Sequence, residues 1–276
     1  SSRPMPAPVQ DAAVLALANA ADQLSPADRQ LYDRALYRSR PGTLAAEFRK
    51  DVESGRLPQV SYLVPSEVDS EHPSGSSPAA SATLLYQVLD AIASDPDLWT
   101  KTAVIVNFDE NDGYFDHVPP PRPPRSVEAE WVGNQPLGLG PRVPMTVISP
   151  WSRGGWVSSE VFDHTSVIRF VEKRFGVMEP NISAWRRAVC GDLSSCFDFK
   201  TPNAAVAKLP GTADVASKAA ALPGHTTPPT PAAQAPAQKT GTRPSRALKY
   251  RLAVVQGQSD TQLELTFACD DQGGGN

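Results

Sequence analysis

Thr102-Ala103-Val104-Ile105-Val106-Asn107-Phe108 is β-branched and apolar on both parities, and Asp109-Glu110-Asn111-Asp112-Gly113-Tyr114-Phe115-Asp116-His117-Val118 follows it without a break. A strand with one solvated face alternates apolar and polar residues; a strand covered on both faces does not. Two more apolar runs flank this one, Val60-Ser61-Tyr62-Leu63-Val64 upstream and Val143-Pro144-Met145-Thr146-Val147-Ile148 downstream. Helical patterns lie between and after them. Pro78 opens a helix whose buried face is Leu84, Leu85, Val88, Leu89 and Ile92, and Ser166 to Phe175 forms another, with Gly176 as its left-handed stop. Strands alternating with helices predict an α/β fold built on a mainly parallel, layered sheet. The carboxyl end of a central strand is where such sheets place their ligand sites, and the acidic stretch begins there.

Outward from this region, Ala12 to Leu24, Pro26 to Tyr37 and Thr43 to Ser54 read as helices. From Thr201 to Pro244 the chain is Ala, Pro, Thr and Lys with almost no large apolar residues, so it cannot offset its ordering entropy and is expected to be an extended linker. Tyr250 to Val255 and Leu263 to Phe267 alternate with period two around Gln256 to Asp260, which suits a hairpin. Two strands alone are marginal, so the hairpin is expected to begin a β-sandwich. The expected organisation is therefore an α/β region over 1–200, a linker over 201–244 and the start of a β domain over 245–276.

The chain has 276 residues, a net charge of −4 and a pI near 5.6, enough for one sizeable domain and without the broad positive field that nucleic acid demands. No apolar run approaches the roughly 18 residues of a transmembrane helix. Ser1 to Pro6 carries no export signal, so either the protein stays inside the cell or its front end is missing. Cys190 and Cys196 lie close enough in sequence to bridge a short loop or to remain free thiols, with Cys269 left over.

Three carboxylates in near succession repel one another unless a cation sits among them. A divalent metal ion suits their hard oxygens, and Gly113 lets the loop turn tightly; a solvated acidic turn is the alternative. His72, in Ser70-Glu71-His72-Pro73, follows the first apolar run and is expected at the same sheet edge as Asp109, where an imidazole serves a phosphoryl oxygen, a proton or a metal. His164 precedes a helix after the third run; its ring faces the same edge, or Asp163 or Thr165 is simply the helix cap. His117 reads as a loop anchor and His225 as a solvated linker residue. The chain has no Gly-x-Ser-x-Gly elbow, no phosphate loop and no dinucleotide fingerprint.

Five blocks in order resemble the bacterial phosphoesterase family that contains the non-haemolytic and haemolytic phospholipases C and an acid phosphatase. They are Leu57 to Tyr62 leading into Ser70-Glu71-His72-Pro73, Phe108 to Pro121, Pro141 to Gly155, Phe162 to Phe170, and Trp185 to Leu193, spanning about residues 43 to 199. The resemblance implies an alkaline-phosphatase-like α/β fold and a phospholipase C-type hydrolysis of phosphatidylcholine-like lipids to diacylglycerol and a phosphorylated headgroup. It makes Asp109 and Glu110 ligands of a divalent metal ion of open identity, and His72 the active-site histidine. It also implies a phospholipid substrate, peripheral membrane contact, and a secreted or periplasmic location. The family's early Glu-Asn-Arg-Ser-Phe-Asp-His-like motif and its Ser or Thr nucleophile have no counterpart here. The expectation is thus a C-terminal part of a longer enzyme, lacking the nucleophile half and inactive alone; a non-catalytic remnant or lipid-associated binding protein is the alternative.

Overall fold

The computed structural model describes residues 7–35, 39–40, 42–73, 75–114, 116–223, 230, 243–248, 250–258 and 263–271. The helices run α1 (Ala7–Ala21), α2 (Pro26–Ala35), α3 (Leu44–Glu53), α4 (Pro78–Ala93), α5 (Pro96–Trp99), α6 (His164–Phe175), α7 (Ala184–Val189) and α8 (Ala213–Ala220). The strands are β1 (Val104–Asn107), β2 (Trp131–Val132), β3 (Gln135–Pro136), β4 (Met145–Ile148), β5 (Tyr250–Gln258) and β6 (Leu263–Asp271). Contacts divide the chain into two units, one of residues 1–101 with 205–234 and the other of 102–204 with 235–276.

The first unit is helical. Phe48 and Val52 of α3 are buried, as are Ala79, Val88, Ala91 and Ile92 of α4, and the two helices pack together with Arg49 on Asp90 at 2.5 Å. Helix α4 starts where the sequence indicates: Ser77 caps it by accepting the Ala80 N–H at 3.3 Å, and Pro78 fills the first turn, where no backbone donor is needed. Leu84, Leu85 and Leu89 are half-buried rather than buried. The run Val60 to Val64 is not a strand. Among the described residues no backbone hydrogen bond pairs with it, so Tyr62 and Val64 stand 70% and 78% exposed. A short apolar run specifies a strand only where a neighbouring ladder is present to receive it. Residues 213–220, within the segment expected to be extended, form α8 against α4, since an Ala-rich stretch has high helix propensity once it has a surface to lie on. His225 lies outside the described residues.

In the second unit β1 pairs with β4, with Val104 opposite Ile148 and Asn107 opposite Met145. The pair is antiparallel, which corrects the expectation of a mainly parallel sheet. The reason lies in the connection. Residues 108–144 return as a loop carrying the small β2–β3 hairpin, with no α-helix among their described residues to make the crossover that usually joins parallel neighbours. Nor is β1 enclosed on both faces: Val104, Ile105 and Val106 are half-buried and Asn107 is exposed. The mixed helix and sheet content of an α/β protein holds.

Helix α6 begins two residues before the expected Ser166. Asp163 caps it in a capping box, its N–H donating to Ser166 Oγ at 3.1 Å, and Gly176 ends it at φ 68°, ψ 28°, a conformation cheap only for glycine. Behind it lie buried Ile182, Cys190 and Leu193, and Phe197 stacks between Phe170 at 5.0 Å and Phe199 at 5.2 Å. Cys190 and Cys196 are free thiols, and burial pushes Cys190 up to about 12. Strands β5 and β6 form the expected hairpin in continuous antiparallel register from Tyr250 opposite Asp271 to Gln258 opposite Leu263. The Cys269 side chain lies outside what the structure describes.

Candidate active site

Strand β1 delivers the chain to the acidic loop, and both ends of that loop are tied down. At its start the Phe108 N–H donates to the Pro144 carbonyl at 3.4 Å, extending the ladder with β4 by one step. The Phe108 carbonyl lies 3.0 Å from His164 Nε2. A carbonyl only accepts, so Nε2 carries the proton of that bond. At its far end Asp116 is gripped by Arg142 through Nη2 at 2.8 Å, Nε at 3.0 Å and the Arg142 backbone N–H at 2.8 Å, and takes the Val118 N–H at 3.1 Å. The Arg142 side chain, its backbone N–H and the Val118 N–H hold the Asp116 carboxyl well below the usual carboxylate range.

Between these anchors the loop turns on Asp112 and Gly113, at φ 50° and 75°. Two successive left-handed residues make the tight turn that Asp-Gly favours. Asn111 locks it, its carbonyl accepting the Tyr114 N–H at 2.8 Å and its Nδ2 donating to the Tyr114 carbonyl at 2.7 Å. Asp109 and Glu110 are both exposed, and the bond recorded for either side chain is from the Glu110 N–H to Asp109 Oδ1 at 3.0 Å. Their remaining oxygens are unclaimed among the described residues. Of the loop's carboxylates, Asp116 is spent on structure while Asp109, Glu110 and Asp112 are exposed, and among the described residues their side chains make no ion pair.

His72 belongs to the helical unit. It follows a 3₁₀ turn at Glu67–Asp69, and its backbone is fixed by Ser70 Oγ, which accepts the His72 N–H at 3.2 Å, and by Ser76, whose N–H donates to the His72 carbonyl at 2.8 Å. Glu71 just before it is left-handed at φ 72°, its N–H held by Ser76 Oγ at 3.0 Å. The imidazole is exposed. His117 is exposed in the bend after Asp116.

The second unit also holds an ion cluster that no motif or spacing announces. Arg186 of α7 donates from Nε to Glu130 Oε1 at 2.8 Å, from Nη2 to Glu130 Oε2 at 2.9 Å and to the Gly138 carbonyl at 2.8 Å, and from Nη1 to Asp163 Oδ2 at 2.6 Å. Ser183 Oγ adds a bond to Glu130 at 2.6 Å. Glu130 is only 3% exposed. Desolvation alone would lower the guanidinium, but hydrogen bonds from Glu130 and Asp163 outweigh it and raise Arg186. The cluster therefore ties the cap residue of α6 to the α7 helix and to the 3₁₀ turn before β2.

Hard divalent ions take about six oxygen ligands. Asp109 and Glu110 fit such an ion chemically as part of a ligand set, and among the described residues no group of three His, Cys, Asp or Glu side chains completes one. Among the described residues no helix is long and apolar enough to cross a membrane.

Residues 11–178 match the Phosphoesterase family, and the chain belongs to it. Within that class it is similar to proteins named phospholipase C. It is 50% identical over 245 residues to non-hemolytic phospholipase C of Pseudomonas aeruginosa, covering 80% of this chain and 35% of that protein. It is 45% identical over 264 residues to non-hemolytic phospholipase C of Burkholderia pseudomallei, covering 86% and 37%. Phospholipase C A of Mycobacterium tuberculosis is 45% identical over 173 residues, covering 58% and 33%. The chain thus spans about a third of the length of these relatives.

Proposed function

We propose that this chain is the part of a phospholipase C-type phosphoesterase that presents an acidic loop to the scissile phosphodiester of a phosphatidylcholine-like lipid. What carries the reading is the family match over residues 11–178, together with two exposed carboxylates at the end of β1 whose oxygens, apart from Asp109 Oδ1 on the Glu110 N–H, no described residue claims. Asp109 and Glu110 act as metal ligands. Once bound there, a divalent ion supplies positive charge to a phosphoryl group whose negative charge grows during displacement. Asn111, Gly113 and the Asp116–Arg142 pair hold the loop in shape, so the two carboxylates need no reorganisation to receive the ion. For His72 the support is its sequence setting, Ser70-Glu71-His72-Pro73, within the matched residues, and an exposed ring suited to donating or relaying a proton at a leaving oxygen.

The same reading includes an alkaline-phosphatase-like layering for residues 1–200, a linker over 201–244, and β5–β6 as the start of a β-sandwich. A phospholipid substrate brings with it peripheral membrane contact and a secreted or periplasmic location. Two measurements test the proposal. Calorimetric titration of this chain with Mn²⁺, Mg²⁺, Ca²⁺ and Zn²⁺ is expected to show binding that Asp109→Ala and Glu110→Ala abolish; binding unchanged in the double variant refutes the ligand assignment. A chimera carrying residues 43–199 within the Pseudomonas aeruginosa relative is expected to hydrolyse p-nitrophenylphosphorylcholine, and to lose roughly 10³-fold or more in rate with Asp109→Ala. Full activity in that variant overturns the mechanism.

A further inference from the structure

The structure assigns His164 a role as the positioning residue of the acidic loop: its Nε2–H fixes the Phe108 carbonyl and so sets where Asp109 and Glu110 stand. The inference deepens the proposed function and rests on it for the purpose of the positioning, while the positioning itself stands on geometry alone.

Three observations converge on it. First, the Nε2 to Phe108 carbonyl distance is 3.0 Å, and Phe108 is the residue immediately before the acid pair. A shift of that carbonyl moves both carboxylates. Second, His164 is the first residue of α6, where the helix start is rigidly defined by the Asp163 capping box and by Arg186 on Asp163 at 2.6 Å. Arg186 is in turn fixed by Glu130, itself buried, so the imidazole projects from an element that cannot swing. Third, the opposite face of Phe108 is also held, its N–H on the Pro144 carbonyl at 3.4 Å. Phe108 is therefore clamped through both of its backbone polar groups, one by the neighbouring strand and one by a side chain 56 residues away. The far end of the loop has its own anchor in Asp116 and Arg142. Without His164 the near end is registered by the β1–β4 ladder and its long last bond to Pro144, and the Phe108 carbonyl loses its donor.

The choice of histidine follows from the same geometry. The donor must reach a backbone carbonyl from the first turn of a helix with little rotamer loss, and a ring nitrogen on a two-torsion side chain does so. Gln places an N–H at comparable reach; Leu fills similar space with no donor.

Hydrogen–deuterium exchange on the metal-free chain tests the clamp whether or not any metal binds. In His164→Leu the amides of Phe108, Glu110 and Tyr114 are expected to exchange roughly three- to tenfold faster than in the unaltered protein, the range for one lost hydrogen bond, while those of residues 168–175 keep their rates. His164→Gln is expected to restore the slower rates. Unchanged exchange in His164→Leu, or no rescue by Gln, overturns the inference. Should neither variant fold, the imidazole ¹⁵N shifts of the unaltered chain decide. A neutral ring protonated at Nε2 supports the clamp and one protonated at Nδ1 refutes it. Mn²⁺ titration run alongside reads the proposed function separately. A chain that binds no metal but shows the exchange pattern keeps the clamp and loses the ligand assignment, whereas binding that is equally tight in His164→Leu separates the loop's position from metal affinity and refutes the purpose given to it.

Discussion

Replacing Arg186 with Met should be among the most damaging single changes available in the second unit. The guanidinium makes four hydrogen bonds within the cluster, two to Glu130, one to Asp163 and one to the Gly138 carbonyl, at 2.6 to 2.9 Å. The side chains of Glu130 and Asp163 are 4% and 5% exposed, so water cannot take over. Removing one partner of a buried ion pair leaves an uncompensated charge and costs about 3–5 kcal/mol. At roughly 2–4 °C per kcal/mol for a chain of this size, the midpoint should fall by about 6–20 °C. The assay is thermal unfolding followed by near-ultraviolet circular dichroism, where Trp131 and Trp185 report on this unit. Glu130→Met and Asp163→Asn added to Arg186→Met should recover most of the loss, because the buried charges go together and Asn still caps α6. Arg142→Met removes a cation that is 60% exposed and leaves Asp116, 11% exposed, its bonds from the Arg142 and Val118 N–H groups, so it should lower the midpoint by clearly less than Arg186→Met. A fall of less than roughly 2 °C in Arg186→Met would refute the reasoning, since one buried pair should exceed that several-fold.

Acid should weaken the second unit in a defined window. The Arg187 guanidinium, first, and the Glu179 N–H hold Glu172 at about 2 against an ordinary 4.5, so its contribution is complete above pH 4.5 and is lost as pH falls toward 2. Melting midpoints measured from pH 6 to pH 2 should show that decline, and Glu172→Gln should flatten it; a variant as steep as the parent sinks the assignment. Gly176→Ala should cost about 1 kcal/mol by chemical denaturation, because φ 68° is strained for any residue with a Cβ even where nothing crowds it. A neutral result would mean that α6 ends differently.

Local chemistry was legible in the sequence and partnership was not. Pro78 and Gly176 mark helix ends through local effects and were readable because cause and effect are adjacent, whereas the cap of α6 stayed open between Asp163 and Thr165 until the structure placed it on Asp163. The hairpin of β5 and β6 was readable for the same reason. Val60 to Val64 shows the converse: it is a short apolar run of the kind that forms strands, and no described neighbour receives it. The antiparallel pairing of β1 with β4 depends on the path of residues 108–144, which no periodicity encodes.

The same division runs through the candidate site. Asp109 and Glu110 drew notice because carboxylates crowd after a strand, yet the last of the four loop acids, Asp116, belongs to Arg142, and the run of charge concealed that difference in role. Glu130, Asp163 and Arg186 are scattered single residues, 23 to 56 positions apart, and carry no spacing signal. His164 looked like either a site residue or the neighbour of a cap. In the structure Asp163 is the cap and His164 holds the Phe108 carbonyl, and the first arrangement is what makes the second rigid. A cap residue gripped by a half-buried arginine gives the next side chain a fixed origin, so the residue that orients the acidic loop need not touch whatever the loop binds. Mutations at Glu130 or Arg186 that spare the fold should therefore loosen Phe108 in the same exchange experiment, and if they leave it protected, α6 is anchored by its packing instead.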